Sequence, residues 1–359
     1  STASVGNPVD MIASASPEQY RRSTEILLAD EQVDSLLVIF IPPLVTQADD
    51  VARAIVAGAA GTSKPVLANF IRSAGGPAEL GTIPSYTFPE SAVGALARVT
   101  EYAAWRQRPR GVVPRFDDVD AARARRIVSD ALARGEGWLT PAEAQALMGA
   151  MRVATAGARL VTSEAAALDA AHEMGYPVVL KAVGPEIVHK TDVGGVVLDL
   201  RDDAALSAAY RTMAGRLGPT MTGAVVQQMV TGGVELLVGA VVDPTFGPLV
   251  ACGSGGVLVD LLADTSFRLH PLTDLDASDL VGSLRSARLL RGYRGQPPAD
   301  ERAVVDTLLR VSALLETCPE VLELDINPLK VQTRGALAVD VRVRVGHLRP
   351  GAASRRVVY

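Results

Sequence analysis

The chain alternates between short apolar runs and longer amphipathic stretches, and the period of each stretch predicts its element. Ser16-Pro17-Glu18-Gln19 has the form of a helix start: an N-cap serine, a proline at the first helical position and a glutamine at the third. The helix that follows sets Tyr20, Thr24, Leu27 and Leu28 on one side. Ser35 to Ile41 is apolar without alternation, the pattern of a strand covered on both faces. A helix from a Thr46 cap through Ala60 is expected next. Short strands at Lys64 to Ala68 and Ile83 to Thr87 follow, then a helix from Pro89 to about Trp105. This alternation predicts a parallel sheet with right-handed crossovers over residues 1–105. Residues 106–117, RQRPRGVVPRFD, read as a linker, followed by a helix from about Val119 to Arg134 that stops at Gly135.

From about Gly137 the pattern changes. Thr140-Pro141-Ala142-Glu143 has capping-box spacing, and Ser163 to Met174 reads as a helix ended by Gly175. Strands are expected at Pro177 to Val183, Gly195 to Leu200, Ala224 to Met229 and Val234 to Val242, with one helix at Asp203 to Leu217. Gly253-Ser254-Gly255-Gly256 reads as a turn before a helix. Helices at about 277–290 and 299–316 and a closing strand pair, Val321 to Asn327 and Ala336 to Val345, complete the series. Strands adjacent in sequence without crossover helices predict a partly antiparallel sheet. The chain is thus expected to divide into an α/β parallel-sheet domain (1–105), a linker and connecting helix (106–136), an α+β domain (137–346) and a tail (347–359).

Composition narrows the function classes. At 359 residues the chain is long for one core, and 48% apolar content suits two globular domains. A net charge of −5 argues against nucleic acid as the main partner. Only Cys252 and Cys318 are present, which excludes a disulfide framework or cysteine zinc site and suits a reducing cytoplasm. No apolar run approaches the roughly 18–20 residues of a membrane span. The first domain opens with the loop Gly6-Asn7-Pro8-Val9-Asp10 and a helix instead of a strand, so the chain is expected to be a fragment or a subunit of something longer.

Of 35 basic residues only four are lysines (Lys64, Lys181, Lys190 and Lys330), and two of these flank one of the four histidines in VVLKAVGPEIVHKTDVGG. Lys181 closes an apolar strand, where a fixed ammonium can neutralise a phosphate; snorkelling from a strand end is the plainer alternative. A neutral imidazole such as His189 can carry a phosphoryl group. Lys190 is a second candidate for phosphate, and the glycines Gly194 and Gly195 would let that loop approach phosphate closely, or move. Val225 to Met229, with Gln228 at its polar end, and Glu235 beyond it suit a hinge beside an adenine. Gly253, Gly255 and Gly256 offer backbone amides to phosphate but lack the second half of a Walker pattern. In ELDINPL, Glu323, Asp325 and Asn327 share one strand face. Asp340, in an apolar run thirteen residues beyond Asn327, can face them from the neighbouring strand. Such oxygen donors suit Mg²⁺ shared with a nucleotide.

Taken in this order, these segments resemble an ATP-grasp domain, and more narrowly the nucleoside-diphosphate-forming acyl-CoA synthetases related to succinyl-CoA synthetase. GNPVD, VHKTDVGG, DPTFGP, GSGG with Ser266-Phe267-Arg268, and ELDINPL carry the resemblance, which covers essentially the whole chain. It implies a partial flavodoxin-like domain at 1–105 and an ATP-grasp domain at 137–346. It also implies phosphoryl transfer between ATP/ADP and a histidine, serving acyl phosphate and acyl-CoA interconversion. Residue by residue, it implies that Lys181 contacts nucleotide phosphates, with Glu235 near the nucleotide. His189 is the second phosphohistidine, Gly253, Gly255 and Gly256 line the phosphates, and Asn327 and Asp340 hold Mg²⁺. The family's CoA-binding domain and first phosphohistidine domain usually precede such a sequence. CoA is therefore expected on a companion domain or subunit, within an oligomer or a longer polypeptide. Related architectures fuse these domains to a GNAT-type protein acetyltransferase, so a nucleotide-binding regulatory module without turnover is the alternative. A third reading is an ATP-grasp ligase that needs no His189.

Overall fold

The computed structural model describes residues 4, 6–42, 46–71, 75–184, 194–256 and 264–347, and the chain forms two compact units, Ser1–Pro109 and Arg110–Tyr359. In the first unit, β1 (Leu36–Phe40), β2 (Val66–Phe70) and β3 (Ser85–Tyr86) form a parallel sheet in sequence order. Helix α1 (Pro17–Ala29) begins with the reciprocal Ser16–Gln19 capping box. It packs against α2 (Ala48–Gly58), where a Cβ on Gly58 would stand 2.6 Å from the Arg21 carbonyl oxygen. That clash limit lets the two helices approach closely. Phe40, Ile55 and Phe70 are fully enclosed.

The double-sided burial expected of Ser35 to Ile41 is not found. It falls instead on β2, buried at every position, while β1 leaves Ile39 46% exposed. The sheet order explains the difference: β2 is central, and β1 has a neighbour on one side only among the described residues. The long helix α3 (Pro89–Gln107) follows β3.

The second unit holds two antiparallel sheets. The smaller has the order β5 (Ala158–Val161), β8 (Gly223–Gln228), β6 (Val178–Val183), β7 (Val196–Leu200). Helices α6 (Glu164–Met174) and α7 (Asp203–Leu217) cover one of its faces, burying Ala167, Ala171, Leu206 and Met213 against Leu180, Ala182 and Val226. The larger has the order β11 (Thr265–Leu269), β10 (Gly247–Ser254), β9 (Val234–Asp243), β12 (Val321–Val331), β14 (Val341–Val345), β4 (Gly137–Trp138), with β13 (Ala336–Ala338) beside β12. Its core takes Leu236, Val238, Val250, Leu324, Ile326 and Val343 from the strands. It also takes residues from α5 (Pro141–Ala150), α8 (Asp274–Gly282) and α10 (Glu301–Thr317). Helix α4 (Ala121–Ala133), at the end of the segment read as a linker, buries Ala124, Val128 and Ala131 in this same core. Among the described residues no helix is long and apolar enough to cross a membrane.

Two expectations fail in instructive ways. Gly253 and Ser254 do not open a turn; they finish β10, paired to Leu237 and Leu236 of β9. The helix expected after the glycines falls on 257–263, which lie outside the described residues. The helix expected at 277–290 is two pieces, α8 and the short α9 (Ala287–Leu290). Asp264 accounts for the break. Its carboxylate accepts the backbone N–H groups of Arg285 and Ser286, each at 2.9 Å, and the Ser254 hydroxyl at 2.9 Å.

Burial alone would push the Asp264 carboxyl up, but the Arg285 and Ser286 amides and the Ser286 and Ser254 hydroxyls outweigh it and hold its pKa below the ordinary value of 3.8. A depressed carboxylate contributes stability that is present above its unfolded pKa and is lost as pH falls through the folded value. Asp264→Ala is expected to lower unfolding stability by about 2–4 kcal/mol at pH 7, because two buried N–H groups lose their acceptor. Urea titrations at pH 7 and near pH 3 check this; the gap between the two proteins should shrink at the acid end.

Candidate active site

Alternation along β6 fixes where Lys181 points. Val178, Leu180 and Ala182 are buried on the helix-covered face, so Val179, Lys181 and Val183 take the opposite face. The strand ends at Val183, as the run Pro177 to Val183 implies, with Lys181 two residues inside that end. The Lys181 side chain is 12% exposed, with its ammonium 3.6 Å from an Asp340 carboxylate oxygen and 3.5 Å from the Val339 carbonyl.

Asp340 reaches this position from a bend between β13 and β14, not from within a continuous strand as the apolar run Leu337 to Val343 had implied. The bend follows from Pro328. Proline has no N–H for the ladder, and the pairing of β12 with β9 shifts register between Ile326 and Leu329. Here β12 turns to the bend instead. The Asn327 amide donates to the Asp340 carbonyl at 3.1 Å, and the Val339 amide donates to the Pro328 carbonyl at 3.0 Å.

The bend also ties the two sheets together. Ala156 donates to the Ala338 carbonyl and Ala338 donates to the Ala154 carbonyl, both at 2.9 Å. Beside this junction lies a cavity of about 310 Å³, lined by Lys181, Val225 and Gln227 of the small sheet, by Ala338 to Val341, and by the start of α5.

Further groups extend from the bend. The Asn327 side-chain oxygen accepts the Gly256 N–H at 3.2 Å. Gly256 has φ +63°, and a Cβ there would meet a Glu235 carboxylate oxygen at 2.1 Å. Glu235 in turn pairs with Lys330 at 3.0 Å. Contacts therefore run from Lys181 through Asp340 and Asn327 to Gly256, Glu235 and Lys330. On the polar face of β12, burial pushes the Asp325 carboxyl up; Arg342 opposes the shift, and the Asp340 and Glu323 charges add to it. Among the described residues, no group of three or more histidine, cysteine, aspartate or glutamate side chains could hold a metal ion. The fit to a cation therefore rests on Asp340 and Asn327, one carboxylate and one amide oxygen. That set leaves positions for phosphate and water, as Mg²⁺ commonly takes them.

The remaining candidates divide. His189 and Lys190 lie outside the described residues. Gly195 is held by the small sheet, its carbonyl accepting the Ala182 N–H at 2.7 Å. Gly194 has φ +64° and lies against the Arg216 guanidinium. The glycine identities of 253 and 255 follow from packing: a Cβ would stand 2.8 Å from the Thr265 hydroxyl at the first and 2.6 Å from the Leu236 backbone at the second. Gln228 is exposed and absent from the cavity lining, whereas Gln227 is buried within it. Sequence reading passed over Gln227 and Lys330. Alternation from Val225, the partner of Lys181, would have found the first, and the scarcity of lysine the second.

A family model for the ATP-grasp domain matches residues 130–345. The chain is 37% identical over 350 residues to acetate–CoA ligase [ADP-forming] I of Archaeoglobus fulgidus, covering 95% of this chain and 50% of that protein. It is 35% identical over 227 residues to the beta subunit of acetate–CoA ligase [ADP-forming] I of Pyrococcus furiosus, covering 62% of this chain and 97% of the subunit. A solved structure of the dinucleotide-forming acetyl-coenzyme A synthetase 1 of Candidatus Korarchaeum cryptofilum is similar at TM-score 0.56 and 35% identity, over 62% of this chain and 100% of that one. That structure is described as a complex with coenzyme A and Mg-AMPPCP, its phosphohistidine segment pointing towards the nucleotide binding site. The chain spans about half the length of the Archaeoglobus relative. With a cleft between two antiparallel sheets, a matching ATP-grasp model and a beta subunit aligned almost end to end, the chain belongs to the ADP-forming acetate–CoA ligase family.

Proposed function

We propose that this chain is the nucleotide-handling part of an ADP-forming acyl-CoA synthetase and passes a phosphoryl group between ATP/ADP and His189. The observation that carries the reading is the convergence of Lys181 and Asp340, 3.6 Å apart, at the wall of the cavity. An ammonium set against a carboxylate at the cavity wall is oriented there, and its charge attracts phosphate oxygens. The Korarchaeum neighbour, described with Mg-AMPPCP and a phosphohistidine segment turned to its nucleotide site, supports the same use here.

In the ATP-consuming direction the neutral His189 imidazole attacks the γ-phosphorus. An N–P bond forms as the bond to the β-phosphate oxygen breaks, and the electron pair leaves with ADP. In the other direction an ADP oxygen attacks and the N–P bond breaks. Lys181 neutralises charge on the phosphate oxygens. Lys190 adds charge for phosphate beside His189, and Gly194 and Gly195 let the backbone come close to it. Gly256 and Glu235 border the nucleotide through Asn327, and Gly253 and Gly255 keep that border close by their packing. Asp340 and Asn327 would hold Mg²⁺, which when bound neutralises phosphate charge. CoA and the acyl group belong to a companion domain or subunit, in keeping with relatives twice this length. The assembly works in the cytoplasm, as an oligomer or a longer polypeptide.

Incubation with γ-labelled ATP and Mg²⁺ tests the central step. Label that is acid-labile, base-stable and lost in His189→Ala is expected; equal labelling of the variant overturns the assignment. Lys181→Ala should weaken ADP binding by about 10- to 100-fold, the scale of a charged hydrogen bond. Isothermal calorimetry reads that loss, and unchanged affinity would remove Lys181 from the site.

A further inference from the structure

The line of contacts that leaves Asn327 ends on a lysine that the phosphate chemistry does not use. Leu324, Ile326, Leu329 and Val331 all face the core, so β12 changes parity at the register shift between Ile326 and Leu329. The shift brings Lys330 onto the face of Asn327; in an unbroken strand it would take the face of Ile326. There Lys330 is the direct partner of Glu235 on β9. Its ammonium lies 3.0 Å from one Glu235 carboxylate oxygen and 3.5 Å from the Gly232 carbonyl, and its side chain is 18% exposed.

Glu235 passes this hold to the two glycines. Its backbone carbonyl accepts the Gly255 N–H at 2.9 Å. Its second carboxylate oxygen fills the space that a Cβ on Gly256 would need. Gly256 in turn donates its N–H to the Asn327 side-chain oxygen at 3.2 Å. An N–H donates only to an acceptor, so this contact settles which corner of the Asn327 amide is oxygen. That oxygen has two lone pairs: one takes Gly256, and the other is left for a cation.

We propose that Lys330 is a positioning residue for the divalent cation: by clamping Glu235 it holds Gly256 on Asn327 and keeps the amide oxygen, not the nitrogen, turned to the metal. The inference rests on the nucleotide and Mg²⁺ reading of this site and deepens it. Without the ammonium, the Glu235 carboxylate is free to leave Gly256, and the Asn327 amide is free to turn its N–H₂ towards the cation. A lysine that met phosphate itself would act on the nucleotide with or without metal. One that works through Glu235 and Gly256 acts on how well the amide oxygen is held, and so on the metal first. Groups behind a metal ligand commonly carry about 10- to 100-fold of the metal affinity.

Mn²⁺ serves as the probe, its binding to the whole chain with ADP read by electron paramagnetic resonance. Calorimetry of ADP, once with Mn²⁺ and once in EDTA, accompanies it. Lys330→Met is expected to weaken Mn²⁺ by about tenfold and to weaken ADP less in EDTA than with the metal. Glu235→Gln should weaken Mn²⁺ as well, and the double variant no further than the weaker single one, because both residues act along one line of contacts. Unchanged Mn²⁺ affinity in Lys330→Met overturns the proposal. So do additive losses in the double variant, or an equal loss of ADP with and without metal, which would put the lysine on the phosphate. A wild type that binds neither ADP nor Mn²⁺ is a different result: it would remove the nucleotide reading itself.

Discussion

The bend at Val339 and Asp340 is the point on which the second unit depends. Its backbone carbonyl receives an ammonium and an amide from one sheet, its carboxylate faces that same ammonium, and its neighbour Ala338 is hydrogen-bonded to the segment leading into β5. The Lys181 ammonium, 12% exposed on the small sheet, meets the Asp340 carboxylate and the Val339 carbonyl at this bend. One short segment thus sets the spacing of the sheets and the electrostatics between them.

The residues near this bend follow a division of labour set by strand periodicity. On β12, Leu324 and Ile326 face the core while Glu323, Asp325 and Asn327 face away. On β6 the same alternation separates Leu180 from Lys181. Strands therefore present most of the candidate groups. Pro328 is the exception that makes the arrangement work, because it releases β12 from its neighbour where Asn327 must meet Asp340 and Gly256.

Much of this was legible in the chain. The helix read from Asp203 to Leu217 has those bounds, and the polar face of ELDINPL is where alternation put it. Elements with a strong period or a cap announce themselves because a few local residues decide them. What escaped was decided at a distance. Strand β10 carries glycines and a proline and ends in residues read as a turn, and β11 was given no element; the pairing of β10 to β9 and of β11 to β10 makes them strands. The break between α8 and α9 is imposed by Asp264, more than 20 residues away in sequence. Gln228 was the candidate and Gln227 was passed over, because two equal side chains in a row carry no sign of which face is inward; the pairing with β6 puts Gln227 in the cavity wall. His189 and Lys190 rest on sequence pattern alone.

The two-residue alternation of β12 has an evolutionary corollary. A single inserted or deleted residue between Glu323 and Asn327 would exchange the faces of the strand, sending carboxylates into the hydrocarbon interior and leucines into the cleft. Substitutions there can be graded in effect, but length changes cannot. Drift in this lineage should accordingly accumulate in connecting segments, while the spacing from Leu322 to Pro328 stays frozen even where individual side chains vary.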